Sequence, residues 1–378
     1  MNDTIKKLVF LLFIIAFTFS CEDDSLPSTY SPEGAVASPE NISIQGLYIL
    51  SEGNMGSNKA SLDYFDYSTG IFTNNIYGKV NPSVALSLGD VGNDIQIYGS
   101  KMYAVINLSN YVEVMDAKTS EHLGQIEIPN CRYITFDKGY AYVSSYSGAA
   151  QPNNTVLGTI NKIDTVSLKI VGEATVGYQP EEMAVVNNKL YVANSGGYTP
   201  ESYDNTVSVL SLNPFQELKK ITVGSNLWRV RKDKNNKIWV TSRGNYSDIK
   251  PFVVVIDPKS DTIEKTIHTT VTNFGFYEDN LYYYGTDYDN NFKAVNSYGI
   301  IDINAKEVTS SHFINESMKS KIVVPYGIII NPVNGDIFIG DAIDYTVPGK
   351  VYCLDKNGNL KWERTVGVSP GHFAFVWK

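Results

Sequence analysis

The chain is poor in the residues that staple small scaffolds or hold metals. It has only three cysteines in 378 residues, Cys21, Cys131 and Cys353. With Cys21 assigned to a targeting segment, two remain, too few for a disulfide framework, and no pair has metal-site spacing. Cys353 sits in the apolar run Val351–Leu354 and reads as core. Of the four histidines, His122, His268, His312 and His372, none stands in a metal-spaced pair. His122 and His268 fall on stretches that read as outer strands at the surface. The formal net charge is −9, and beyond the first residues Lys and Arg crowd together only briefly, as over Arg229–Lys237. That argues against a nucleic-acid surface, which needs clustered Lys and Arg. No segment sustains a helical period; at most Leu86–Gly92 and Asn315–Lys321 suit a short helical turn. A Gly-X-Ser-X-Gly string occurs at Gly367–Gly371, but it leads into the strand-like run Phe373–Trp377 and not into a helix, so it does not read as a nucleophile elbow; no phosphate-binding glycine loop is present.

What is present begins with a targeting pattern. Lys6 and Lys7 precede the apolar run Leu8–Phe19. Its 12 residues are too few to span a bilayer and suit a signal segment. The run ends at Ser20-Cys21, and a small residue before cysteine is the pattern of a lipoprotein signal, although Thr18 stands where leucine is usual. The expectation is a signal peptide over 1–20, acylation of Cys21, and a flexible tether to residue 44. Pro27, Pro32, Pro39 and several serines give that tether a composition that resists folding. Glu22-Asp23-Asp24 resembles the acidic export signal of surface lipoproteins in Bacteroidota. This places the protein at the outer membrane, lipid-anchored and facing outward.

The rest of the chain repeats. A short strand with an aromatic residue recurs at Tyr48, Tyr103, Tyr142, Tyr191, Trp239, Tyr282 and Phe338. These seven positions span 290 residues in six steps, a mean near 48. That period fits four strands and their turns, the unit of a propeller blade. The clearest unit runs from Gln179 to Gly224, with strands at Met183–Val186, Leu190–Ala193, Thr206–Leu212 and Leu218–Val223. An aspartate follows the third strand in several units (Asp116, Asp164, Asp257, Asp302, Asp355), where it suits a turn that caps backbone N–H groups. The first unit opens without an inner strand, and Phe373–Trp377 forms an inner strand with nothing after it. Pairing the two closes a ring with no free edge. The fold class is therefore all-β, a seven-bladed propeller over 45–378. Steps of 55 and 56 residues leave six or eight blades open.

Strand alternation puts the second-to-third loops and the blade-to-blade connections on one face. Those segments are long, whereas the opposite turns are short, such as Asn187-Asn188 and Asn235-Asn236. The long loops carry Tyr, Asn, Gly and Ser, including Gln151, Asn153, Asn154, Asn290, Asn291 and Phe292. Tyrosine offers large contact area at low entropy cost, and asparagine both donates and accepts. Tyr and Asn also finish turns and pack blades together; recurrence over five loops on one face is what points to a site. The expected ligand-binding set is Asp94, Arg132, Tyr133, Tyr146, Tyr178, Tyr198, Tyr203, Trp228, Arg229, Arg243, Tyr246, Tyr288, Tyr326, Tyr345 and His372. His372 reads as a polar residue lining the central funnel. Glu52, Asp94, Glu181, Asp287 and Asp341 are candidates to converge there, around calcium or as an acid–base pair, although no spacing singles out two of them. The face reads as a binding surface and not as a catalytic one.

Three stretches, Val176–Met183, Leu190–Gly196 and Asn205–Val209, carry a resemblance to the YncE-like surface-layer propeller lipoproteins, extending over nearly all of 45–378. Within that group the chain is most similar to the BtuG type. The resemblance implies capture of cobalamin or a related corrinoid at the cell surface and delivery to a BtuB-like TonB-dependent outer-membrane transporter. It implies no resident cofactor, and a phosphate contact for Arg132, Arg229 or Arg243. The competing expectations are a glycan-binding or structural propeller, and more remotely a propeller lyase or lactonase.

Overall fold

A computed structural model describes residues 44–84, 87–148, 156–288 and 293–378. The signal segment, Cys21, the tether as far as residue 43, Leu86, and loop residues Gln151, Asn153, Asn154, Asn290, Asn291 and Phe292 lie outside the described residues; Ile44, expected to end the tether, begins the first strand.

Seven four-stranded antiparallel sheets make up the fold. Six are built from consecutive strands; their inner strands are Gly92–Tyr98, Cys131–Asp137, Pro180–Val186, Leu227–Lys232, Asn273–Tyr277 and Pro325–Ile330. We number these blades 2 to 7. Blade 1 combines both ends of the chain, in the order Pro370–Trp377, Ile44–Ser51, Ser61–Asp66, Phe72–Thr73. Its closing register runs from Ile44 opposite Trp377 to Ser51 opposite Pro370. Gly340 of blade 7 makes room for the last strand, because a Cβ there would lie 2.0 Å from the Pro370 carbonyl oxygen.

A blade is sandwiched between two others, so both faces of its second strand are buried. Ile238–Ser242 and Ile337–Asp341 are buried at every position, whereas the outermost strand Thr262–Ile267 is exposed at all but one. All seven recurring aromatics are buried. They plug the seams between blades, and the described core divides into seven apolar clusters, each shared by two adjacent blades. Removing one such ring costs about 3–5 kcal/mol.

The turn chemistry follows the sequence. Asp116 accepts from the N–H groups of Lys118 and Thr119, both at 2.9 Å, and Asp302 from Asn304 and Ala305, both at 2.8 Å. Asn187 and Asn188 both take positive φ, as a tight hairpin turn requires. Asn315 caps the short helix Glu316–Lys321 by accepting from Met318 N. A second short helix, Ile76–Val80, has no periodic signature, because it is one turn long and driven by Tyr77 filling the seam between blades 1 and 2. His122 is not simply at the surface: its ring meets Glu113 at 2.5 Å, and Glu113 also accepts from Tyr77 and Gln125.

Inner strands of adjacent blades diverge and do not pair, so their backbone groups need other partners. Side chains from the preceding blade supply several. Asn93 donates to Arg132 O at 2.6 Å, Asp94 accepts from Ile134 N at 3.0 Å, Glu182 accepts from Val230 N at 3.0 Å, and Arg231 donates to Phe274 O.

A chain ending at Val368 exposes Ile44–Ser51 as an open edge and removes Phe373 and Val376 from the core. It is expected to lose its cooperative melting transition and to self-associate. Calorimetry and size-exclusion chromatography check this; a monomer melting within about 5 °C of the full chain would show closure to be dispensable.

Candidate functional site

The expected convergence of carboxylates does not occur. Among the described residues, no three His, Cys, Asp or Glu side chains come near enough to hold a metal. Asp287 lies apart from the other four, accepting from Tyr288 N at 2.9 Å in the cleft lining, and those four are engaged in the hub and its loops. Asp341 caps Val323, Val324 and Ile343 N–H groups at 2.8–3.0 Å. Asp94 stitches blade 2 to blade 3. Its burial pushes the carboxyl pKa up, against the opposing charge of His372. Glu52 meets His372 Nε2 at 3.2 Å and accepts from the Tyr326 hydroxyl at 2.7 Å.

Glu181 anchors the other side of the hub. Its side chain is 2% exposed and pairs with Arg132 at 3.2 Å and Arg243 at 3.6 Å. Tyr146 donates to it at 2.6 Å and Ser195 at 3.3 Å. Burial works against its charge, but the two guanidinium groups and the Tyr146 hydroxyl outweigh it and hold the pKa below the usual carboxylate range. Beside this cluster, Tyr133 accepts from Trp228 Nε1 at 2.9 Å and from Arg229 at 3.2 Å. Arg229 and Arg243 lie over the Trp228 ring at 4.1 and 4.8 Å. These hub side chains are buried or half-buried and hold one another in place.

An open cleft of about 730 Å³ lies off-centre, over blades 5, 6 and 7. It is lined by Trp228, Arg243, Tyr246, Lys250, Tyr284, Asp287, Tyr288, Tyr326 and Tyr345, with Ser and Thr hydroxyls between them. Local chemistry raises each rim tyrosine. In the blade-5 loop, Asn245 Oδ1 accepts from Ser247 N and Ile249 N, at 3.0 and 2.9 Å. A Cβ on Gly244 would meet Ile249 O at 2.0 Å, so only glycine permits this tight loop. Tyr246 is left at its tip. In blade 7, Asp344 accepts from Thr346 N and Val347 N, at 2.8 and 3.0 Å, presenting Tyr345 edge-on to Tyr326 at 5.7 Å. Tyr288 ends the long strand Asn280–Tyr288, which pairs with Ala294–Asp302. Tyr246, Tyr288 and Tyr345 are 66%, 55% and 50% exposed. Tyr246 and Tyr345 adopt φ of 58° and 67°. A bulky residue there is strained, and such strain gathers at ligand sites.

Residues 45–356 match the family model described as a domain of unknown function, DUF5074. The chain belongs to the DUF5074 family. No curated protein matches it. This DUF5074 chain is similar in structure to a hydrazine synthase of Kuenenia stuttgartiensis, with TM-score 0.60 and 15% identity, covering 74% of this chain and 88% of that one. A quinonprotein alcohol dehydrogenase-like protein of Bacteroides thetaiotaomicron gives 0.59 and 15%, covering 89% and 79%. The Pan2 WD40 domain of Neurospora crassa gives 0.51 and 10%, covering 76% and 80%. At these identities the likeness is one of fold alone.

Of the residues expected from sequence, the DUF5074 fold brings Trp228, Arg243, Tyr246, Tyr288, Tyr326 and Tyr345 together around the cleft. Asp94, Tyr133, Tyr146, Arg229 and His372 are buried in the hub beside it, and Arg132 is half-buried there. Tyr198 packs edge-on against Tyr146 at 5.2 Å, and Tyr203 lies within electrostatic reach of Tyr246 and Arg243. Tyr178 ends the outermost strand of blade 3, away from the cleft lining. Sequence reading missed Lys250 and Tyr284. Tyr284 follows the blade-6 repeat aromatic by two residues on the same strand, a spacing that keeps it on one face and was available as a signal.

Two outcomes are expected. Glu181→Gln leaves Arg132 and Arg243 without their shared counter-charge and costs about 3 kcal/mol; denaturant unfolding reads this, and a loss below about 1 kcal/mol would show the pair to be idle. Tyr246→Asn relieves backbone strain and raises stability by up to about 1 kcal/mol. A clear loss in thermal melting would mean that Tyr246 is a packing residue.

Proposed function

We propose that this propeller is a surface lipoprotein that captures cobalamin or a related corrinoid on its loop face and passes it to a TonB-dependent outer-membrane transporter. One observation carries the reading: an open hollow of about 730 Å³ is ringed by six aromatic side chains, three of them at least half exposed. Large aromatics left in water around a concavity mark a binding surface. A corrinoid is a broad disc edged with amide arms. Tyrosine rings match its faces, and the Ser and Thr hydroxyls of the lining match its amides. The disc is wider than a buried pocket accepts and suits an open cleft.

The proposal treats the chain as a capture protein and not an enzyme, since the hub carboxylates are already engaged by arginine, tyrosine, histidine or backbone partners. The same hydroxyl-rich lining, with Asp287, also favours glycan capture as a second reading.

Calorimetric titration of cyanocobalamin into the chain from residue 22 onward tests the proposal. Saturable heat is expected, weakened at least about tenfold by Tyr345→Ala, since well-packed aromatic anchors dominate binding energy. Absence of heat and of co-migrating red colour, with hits on a glycan array, transfers the site to sugars.

A further inference from the structure

The protein is acidic overall, yet one wall of the cleft is not. Arg132 and Arg243 share a single carboxylate, Glu181. Arg229, 3% exposed, has no carboxylate within ion-pair distance among the described residues, and its Nε has no hydrogen-bond partner there. Its nearest negative charges, Glu182 and Asp94, are committed elsewhere, the first to Arg231 at 2.9 Å and the second to backbone N–H groups. Lys250 is exposed, lines the cleft on the blade-5 side, and has no ion-pair partner among the described residues. These four cations thus have a single carboxylate, Glu181, in ion-pair contact among them, in a chain of net charge −9; Asp248, on the same loop as Lys250, is held by the Asn245 side-chain amide at 2.7 Å. Asp287 is the one carboxylate in the described lining, and it belongs to blade 6.

A cationic wall beside neutral aromatic rings suits a ligand of mixed character. We infer that the cleft takes an amphipathic anion, whose flat apolar body lies against the rim tyrosines and whose phosphate or similar oxyanion sits at Arg243 and Lys250. Arg229 and Arg132 stand behind that wall and add to its potential without contacting the ligand. The inference rests on the cleft being the binding site proposed above. For a corrinoid it sets the orientation: the nucleotide-loop phosphate points to blade 5 and the disc lies over blades 6 and 7.

The decisive probes are two dyes that share one ring system, 8-anilinonaphthalene-1-sulfonate and the neutral N-phenyl-1-naphthylamine, titrated by fluorescence into the chain from residue 22 onward. Lys250→Gln and Lys250→Glu are the variants, and both are expected to melt as wild type because Lys250 makes no ion pair. Wild type binds the sulfonate more tightly than the neutral dye. Lys250→Gln weakens the sulfonate roughly threefold and Lys250→Glu roughly tenfold, the neutral dye is unchanged, and the difference shrinks with salt. Equal binding of the two dyes, or equal weakening of both, overturns the inference. A second arm compares cyanocobalamin with dicyanocobinamide, which lacks the phosphate and nucleotide. Weakening of only the former by Lys250→Glu supports the assigned orientation. Corrinoid binding that ignores Lys250→Glu overturns the inference and leaves corrinoid capture standing. A sulfonate preference that depends on Lys250, without corrinoid binding, does the reverse. Failure of every probe to bind overturns both.

Discussion

The fold depends on one pairing, the last strand Pro370–Trp377 against Ile44–Ser51. Radial sheets bury their faces only if each has two neighbours. An open ring of seven would leave two blades with a bare apolar face and an unpaired edge. Composing blade 1 from both ends of the chain removes that defect and makes each seam an interior one. Stability is then spread over seven apolar clusters and not gathered in one core. The recurring aromatic on the second strand is the element each seam cannot spare.

The same geometry shapes the hub. Seven inner strands meet at an angle that forbids backbone pairing, so their inward groups are satisfied by side chains from adjacent blades. Asp94, Glu182 and Arg231 are consumed in this way, and Glu181 is fixed between two arginines. Such a network stiffens as its groups find partners, and here Arg229 Nε is one that does not. It forms the inner wall of the cleft over blades 5 to 7. The rim is built on the opposite principle. Short asparagine- and aspartate-centred turns hold exposed tyrosines in strained backbone, where packing gains little and a ligand gains contact area. Rigid interior and adaptable rim together describe a preformed receptor surface.

Its charge is unevenly shared. The chain as a whole is acidic, and the blade-5 side of the cleft holds cations with few counter-ions. Membership of DUF5074 and likeness to propellers at 10–15% identity define the scaffold and leave chemistry to the loops. On this scaffold the informative residues are those whose placement packing does not explain: Tyr246, Tyr288, Tyr345 and Lys250.

The fold was legible in the sequence because blade formation is local. Alternating strands, two-residue turns and an aromatic every 48 residues or so are short-range signals, and the orphan strands at the two ends could be matched by their complementary lack. The loop face was legible for the same reason, since strand direction alone assigns each loop to a side. Which loop residues meet was not legible. Tyr133, Tyr146 and Arg229 have the same composition cues as Tyr246 and Arg243, yet the first three are buried at the hub and the last two line the cleft. That division is set by the radius at which each side chain leaves its blade and by how neighbouring blades crowd it. Both are properties of the closed ring, which no single repeat contains.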